Sequence, residues 1–273
     1  MIPFDFDYYK PSAILDAVNL FYKLKAENKT PVYYGGGTEI ISRARVGNIR
    51  FDSVIDIKNI AECACLNIEN ERINIGSAVE LNKITESNVF PLLADTVKRI
   101  ADHTVQCKIT LGGNILGNIK YKEGILPLML ADAKVSILDQ TGRKELNINE
   151  FFNKKPMIEE GQLLEKFSID KKLADSPWYH CKEVKMEKID YPLITVAAIR
   201  YRRGLRLAVS GLLEYPFRSA EIESIINNNQ FDLDRDFNNI INALQGAVIK
   251  DKSSDKYRLF VLKKLLKAIL REI

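Results

Sequence analysis

The chain has 273 residues, 46% of them hydrophobic and 28% charged, which is ordinary globular composition, long enough for two or three compact units and unlike a disordered or fibrous chain. Its formal charge is only +4, and its 40 Lys and Arg are scattered among 36 Asp and Glu, whereas a nucleic-acid surface needs cations clustered on one face; no nucleic-acid partner is expected. No apolar run approaches the ~20 residues that span a bilayer, and the N-terminus, Met1 to Asp7, is acidic and aromatic rather than basic and apolar, so no membrane association is expected and the cytoplasm is the expected location.

In chain order, residues 12 to 28 predict an amphipathic helix with Ser12 as N-cap; Ile14, Ala17, Phe21 and Leu24 line one stripe, with Leu15, Val18 and Tyr22 beside them. Pro31 breaks that pattern, and Val32-Tyr33-Tyr34 predicts a short strand running into Gly35-Gly36-Gly37. Val54-Ile55-Asp56-Ile57 comes next. Cys65 to Ile68 and Arg72 to Ile75 alternate with period two around Asn70-Glu71 and predict a hairpin. Residues 80 to 86 and 89 to 103 read as helical, and a second glycine pair, Gly112-Gly113, comes after Ile109-Thr110-Leu111. Residues 124 to 132 predict a short helix and Lys134 to Leu138 a strand.

The polar segment 170 to 178, ending in Pro177-Trp178, marks a domain boundary. Beyond it, Leu193 to Ile199 and Leu205 to Leu213 predict two apolar strands joined at Arg202-Arg203-Gly204. Two helices are expected near 219 to 228 and 254 to 271, the second with Val261, Leu262, Leu265, Leu266 and Ile269 on one side. Strands and helices mix without a strict βαβα alternation, so the fold class is α+β.

Two glycine-rich loops carry the chemistry. The first is Tyr34-Gly35-Gly36-Gly37-Thr38-Glu39-Ile40 and the second Thr110-Leu111-Gly112-Gly113-Asn114-Ile115, each expected after a strand. Residues without Cβ let backbone approach a ligand and point several N–H groups into one concavity, which suits a pyrophosphate, and Thr38, Thr110 and Asn114 add side-chain donors. The other reading is that both are tight turns or bulges. Neither the Lys-Ser/Thr of a P-loop nor G-x-G-x-x-G is present. The four cysteines (Cys63, Cys65, Cys107, Cys181) are too few and irregular for a disulfide framework, a zinc knuckle or an iron–sulfur site. No metal site is expected. Of the two histidines, His103 and His180, neither lies in a glycine loop, and His180 reads as a packed or surface residue.

Gly35 to Ile40 resembles the "GGT-acid-aliphatic" loop of FAD subunits in the molybdenum hydroxylase family (xanthine dehydrogenase and carbon monoxide dehydrogenase medium subunits), and Thr110 to Ile115 resembles its "T-I-G-G-N-I" loop at a similar separation. Val54 to Ile60, Ile73 to Ala78, and Ser254-Asp255-Lys256-Tyr257-Arg258 are similar to three further family segments, the last being the "S-x-x-Y-R" that opens the final helix. The resemblance implies a PCMH-type FAD-binding region over 1–170, in two subdomains of about 1–55 and 56–170, then a C-terminal domain over 176–273 with a small antiparallel sheet and helices. It implies that Gly35, Gly36, Gly37, Thr38 and Glu39 wrap the diphosphate of a non-covalent FAD, with Thr110, Gly112, Gly113 and Asn114 on its second side. Tyr33 and Tyr34 would approach the flavin, and Lys182 matches a flavin-contacting lysine. Glu123 stands where relatives place an aspartate that accepts from sugar hydroxyls; a solvated loop charge is the other reading.

Two segments depart from the family. Met186 and Glu187 replace an arginine pair, and Ile119 to Lys122 replaces small residues and proline, with about one extra residue before Pro127. The resemblance further implies an electron-transfer role: [2Fe–2S] clusters and molybdopterin in two partner subunits, FAD here, and an acceptor such as NAD, with no catalytic acid, base or nucleophile required of this chain. The rivals are a stand-alone flavin oxidase or reductase with the same FAD fold, and a non-catalytic scaffold. Valine at Gly36 or Gly113 is expected to abolish flavin binding with little effect on folding. Ile2, Pro3, Phe4, Phe6, Tyr8 and Tyr9 are read either as a subunit interface or as packing against their own domain.

Overall fold

The computed structural model describes residues 1–184, 190–244, 248 and 255–273. Among the described residues three larger sheets succeed one another along the chain, with a two-stranded ribbon of Phe152–Asn153 and Lys155–Pro156 beside them, and their mixture with helices is the expected α+β class. The first sheet is parallel: Ser53–Asp56 lies between Asp7–Tyr9 and Pro31–Tyr34. The helix Ile14–Ala26 covers it with the predicted stripe of Ile14, Ala17, Phe21 and Leu24 and with Val18 beside it, while Leu15 stays exposed. That helix starts after Ala13, which gives no side-chain cap, so Ser12 is not the N-cap.

The second sheet has five antiparallel strands in the order Leu66–Glu69, Arg72–Gly76, Leu163–Asp170, Lys134–Asp139 and Gly142–Asn147. The hairpin over Leu66–Glu69 and Arg72–Gly76 turns at Asn70 and Glu71, both with positive φ. Helices cover this sheet with a core that includes Leu92, Leu93, Val97, Ile125, Leu126 and Leu128. The predicted helix over 89–103 is instead two pieces, Pro91–Val97 and His103–Gln106. Ala101 has φ +57 between them, and the Gln106 side-chain amide donates to the carbonyls of Lys98, Ile100 and Ala101 that the break leaves open.

The third sheet is antiparallel, in the order Trp178–Val184, Pro192–Tyr201, Gly204–Ser210 and Phe217–Arg218. Its long strand is apolar over most of its length because both faces are covered: Ala197 and Ile199 join the core of the middle region, whereas Ile194, Val196 and Ala198 join the core under the C-terminal helices. The strand Gly204–Ser210 stops short of the expected Leu213 because Gly211 turns at φ +82. Arg258, wholly buried in the helix Asp255–Glu272, donates to the carbonyls of Leu193 and Gly211 and clamps that turn. Ser254, the first residue of the "S-x-x-Y-R" segment, lies outside the described residues, as do Met186 and Glu187. Among the described residues two helices of eight residues or longer have no counterpart in the sequence reading, Thr38–Arg45 and Leu233–Ala243.

The N-terminal aromatic stretch packs on its own sheet. Phe4 and Phe6 meet Phe51 edge-on with centroids at 5.2 and 5.3 Å, and the Tyr8 hydroxyl donates to Asp56. Among the described residues no helix is long and apolar enough to cross a membrane.

Candidate functional site

The first glycine loop leaves the C-terminal end of Pro31–Tyr34 and enters the helix Thr38–Arg45 through Gly37, whose φ of +71 is the left-handed conformation that glycine takes without strain. The Tyr34 ring occupies the space that a Gly37 side chain would need, and Lys58 lies 4.3 Å from the centroid of that ring. The backbone amides of Gly36, Gly37, Thr38 and Glu39 donate to no acceptor among the described residues. They are the unpaired donors of a helix entrance, reinforced by the positive end of the helix.

The second glycine segment is not a loop after a strand but the start of the short helix Leu111–Leu116. Thr110 caps it, accepting from the Gly113 amide at 3.1 Å, and forms an isolated bridge to Glu80. The Leu111 amide donates to Val79 at 2.9 Å, Gly112 to Ser77 at 2.8 Å and Asn114 to Thr110 at 2.8 Å. Its amides are thus spent inside the protein, and only the first loop keeps donors for a ligand. The second segment offers side chains instead. Asn114, whose Oδ1 accepts from Gly124 at 3.1 Å, keeps an Nδ2 that donates to no acceptor among the described residues.

The glycines themselves divide into two groups. A Cβ on Gly36 would fall 1.6 Å from the Lys108 carbonyl oxygen, and one on Gly112 would fall 2.7 Å from Ser77, so these two positions hold backbones in contact. A Cβ on Gly113 would meet only the Thr110 hydroxyl, at 2.9 Å, and otherwise project toward open space at the cavity wall. The expectation that valine at Gly36 spares folding is therefore corrected; for Gly113 it stays an expectation.

These elements wall a cavity of about 780 Å³. Tyr33, Gly35, Gly36, Gly37, Thr38, Glu39, Thr110, Gly112, Gly113, Asn114, Glu123 and Lys182 all line it; Tyr34, turned beneath Gly37, does not. Tyr33 stacks on Phe21 at 4.9 Å and donates to the Gly161 carbonyl at 2.9 Å, and burial pushes its phenol up. Glu39 accepts from the Asn118 amide at 2.9 and 2.7 Å and from Arg43 at 3.3 Å, tying the first helix to the segment after the second. Glu123 is no solvated charge. With 5% of its side chain exposed, it accepts from Lys182 at 3.0 Å and from Thr195 at 2.7 Å, and Lys182 also donates to the Arg99 carbonyl at 2.9 Å.

Sequence reasoning missed several lining residues. Tyr121 and Tyr191 stack with centroids 5.2 Å apart, a pairing across 70 positions that no local pattern signals. Ile100, Val105 and Ile109 supply apolar wall from the region of the broken helix. Lys122, also on the wall, is buried. Its place in the stretch that departs from the family was the available signal. Neither histidine lines the cavity. His180 is packed, with its side chain buried and Nδ1 2.7 Å from Asp95. Cys63 is buried and its thiol is pushed up to about 12 by that burial. Among the described residues no three metal-ligating side chains gather.

The residues present fit a flavin adenine dinucleotide. The volume falls in the ~300–1,000 Å³ range of cofactor pockets. Apolar and aromatic walls suit planar ring systems, four unpaired amides at a helix entrance suit an anionic group, and glycine stands where a Cβ would enter the cradle.

Residues 4–171 match the family model described as FAD binding domain in molybdopterin dehydrogenase. Over 290 residues the chain is 25% identical to the xanthine dehydrogenase FAD-binding subunit of Escherichia coli O157:H7, covering 98% of this chain and 96% of that one. Among solved structures it is similar to a chain of the carbon monoxide dehydrogenase from Hydrogenophaga pseudoflava that lacks the Mo-pyranopterin moiety, with a TM-score of 0.87 at 21% identity over 100% of this chain and 98% of that one. It is also similar to a chain of quinoline 2-oxidoreductase from Pseudomonas putida 86, with a TM-score of 0.85 at 17% identity and the same coverage.

Proposed function

The chain belongs to the family of FAD-binding domains of molybdopterin dehydrogenases, and from that premise we propose that it is the flavin subunit of a xanthine dehydrogenase-type complex in the cytoplasm, relaying electrons from [2Fe–2S] clusters of a partner subunit through non-covalent FAD to an acceptor such as NAD. Molybdopterin would reside in a third, separate chain. The observation that carries the reading is the cavity lined both by residues 36–39, whose four amides are unpaired, and by Gly113 and Asn114.

Bound FAD supplies the redox chemistry, and the chain supplies binding, orientation and exclusion of water. In this reading the amides of Gly36, Gly37, Thr38 and Glu39 hold the diphosphate, and Thr110 and Asn114 approach it with side-chain donors. Glu123, pinned by Lys182 and Thr195, turns its remaining lone pairs to sugar hydroxyls. Lys182, committed to Glu123 and Arg99, acts on the cofactor through that carboxylate as a positioning residue. Tyr33 and the stacked Tyr121 and Tyr191 enclose the apolar part of the cavity. We assign 1–170 to the FAD-binding unit, with subdomains of about 1–55 and 56–170, and 176–273 to a C-terminal unit.

The test is isolation of the endogenous protein through a tag at native expression level. Co-purification with an iron–sulfur chain and a larger molybdopterin chain is expected, together with weak NADH–dye reductase activity of the isolated subunit and no hydroxylase activity. A lone species oxidising its own organic substrate would replace this reading with the stand-alone flavoenzyme.

A further inference from the structure

Lys122 is a buried cation at the cavity wall without a counter-charge of its own. It is 8% exposed, and its ammonium donates to the neutral carbonyl of Gly117. Its backbone φ of +38 is unusual for a side-chain-bearing residue, so the surroundings hold the residue in this place. Glu39 is the carboxylate that acts on it electrostatically, but the Glu39 oxygens already accept from the Asn118 amide and from Arg43. Among the described residues the other cation on the same wall, Lys182, is paired with Glu123. A buried ammonium with only a neutral acceptor is costly and stabilises any anion that reaches it.

Its location indicates which anion. A Cβ on Gly117, the residue whose carbonyl Lys122 contacts, would lie 2.7 Å from Glu39 Oε2. Glu39 is in the first turn of the helix Thr38–Arg45, and Lys122 lines the same cavity as residues 36–39, whose four amides are unpaired. We propose that Lys122 and these amides together form one diphosphate-binding site, in which Lys122 supplies the full positive charge and the loop supplies the directed donors. The inference rests on the FAD reading above and adds to it a residue outside both glycine loops.

Burial pushes the Lys122 ammonium down to about 8, with Glu39 acting in the opposite direction. Besides Glu39, the charged groups around it are Glu123, next in the chain, and Arg43, Lys120, Lys154, Lys155 and Glu214, which share with it a neighbouring depression of about 440 Å³. The diphosphate diester of FAD carries two fixed negative charges at neutral and mildly alkaline pH. Affinity is therefore constant below the apo-protein value and weakens as pH rises through it, by up to ~tenfold per unit.

The experiment is FAD titration of the cofactor-free full chain, read by quenching of flavin fluorescence, from about pH 6.5 to 9.5. Wild-type affinity is expected to be flat to about pH 8 and to fall above it. Lys122→Met is expected to bind FAD at least ~10-fold more weakly at pH 7, with no pH dependence, and Lys122→Arg to restore affinity without the alkaline loss. ADP and riboflavin separate the diphosphate from the ring: the methionine variant should lose ADP affinity by a similar factor and keep riboflavin affinity unchanged. Wild-type FAD affinity in Lys122→Met, or equal losses for riboflavin and FAD, would overturn the assignment while leaving the cofactor reading intact. A wild-type chain that binds no FAD at any pH would overturn both.

Discussion

A Cβ on Gly36 would lie 1.6 Å from the carbonyl oxygen of Lys108, so the first glycine loop and the segment leading into the second meet backbone to backbone. No rotamer change relieves that contact, because the obstacle is main chain. Gly36→Ala is expected to destabilise the cofactor-free protein by about 3 kcal/mol or more, seen as a large drop in Tm or as insolubility. Gly113→Ala, whose Cβ meets only the Thr110 hydroxyl, should melt within a few degrees of wild type and lose FAD affinity. Gly204→Ala is the matched control, since its Cβ makes only ordinary contacts at 3.7 Å and beyond; Gly47 would not serve, because it stands at φ +76. Gly113→Ala with wild-type FAD affinity would show that the cradle lies elsewhere.

Glu123 and Lys182 are both less than a tenth exposed, so removing one partner leaves a buried charge alone. Lys182→Met is expected to cost about 3–5 kcal/mol in urea unfolding, and the double variant Glu123→Gln/Lys182→Met to recover much of it. A double-mutant cycle should give a coupling above ~1 kcal/mol. Additive losses would mean that the two side chains act independently.

Acid stability should carry the signature of Asp95. The hydrogen bond from His180 holds the Asp95 carboxyl below its usual value, against the effect of burial. A depressed carboxyl contributes stability that is present above its unfolded value near 3.9 and is lost as pH falls through its lower folded value. Asp95→Asn should therefore cost about 1–3 kcal/mol at pH 7, and its deficit relative to wild type should shrink as pH falls below about 4. Equal deficits at pH 7 and pH 3, measured by denaturant unfolding, would remove Asp95 from the acid limb.

With no histidine on the cavity wall, FAD should separate completely from acid-precipitated protein. Flavin fluorescence co-migrating with the chain on a denaturing gel would contradict the non-covalent attachment.

Where the sequence was legible, the reason was local. The stripe Ile14, Ala17, Phe21 and Leu24, the alternation around Asn70-Glu71, and the apolar strands joined at Arg202-Arg203-Gly204 each encode their element in a short window, and each is present. The glycine loops were visible as composition, but their division of labour was not. Whether an amide is free depends on Ser77 and Val79 facing Gly112 and Leu111, more than thirty residues away. Glu123 could be read as solvated or as cofactor-facing because Lys182 and Thr195, which bury and pin it, arrive from the third sheet. The helix Leu233–Ala243 was missed although its buried residues, Phe237 and Ile240, have helical spacing, because the Asp- and Asn-rich run around them resembles a loop.

The central claim is that the cavity between the first glycine loop and Gly113 holds FAD, and the most direct measurement is the visible spectrum of the purified chain with quantitation of acid-released flavin. The account predicts bands near ~370 and ~450 nm and about one FAD per chain, either as isolated or after reconstitution. A colourless protein that takes up no FAD on reconstitution, while remaining folded by circular dichroism, would contradict it.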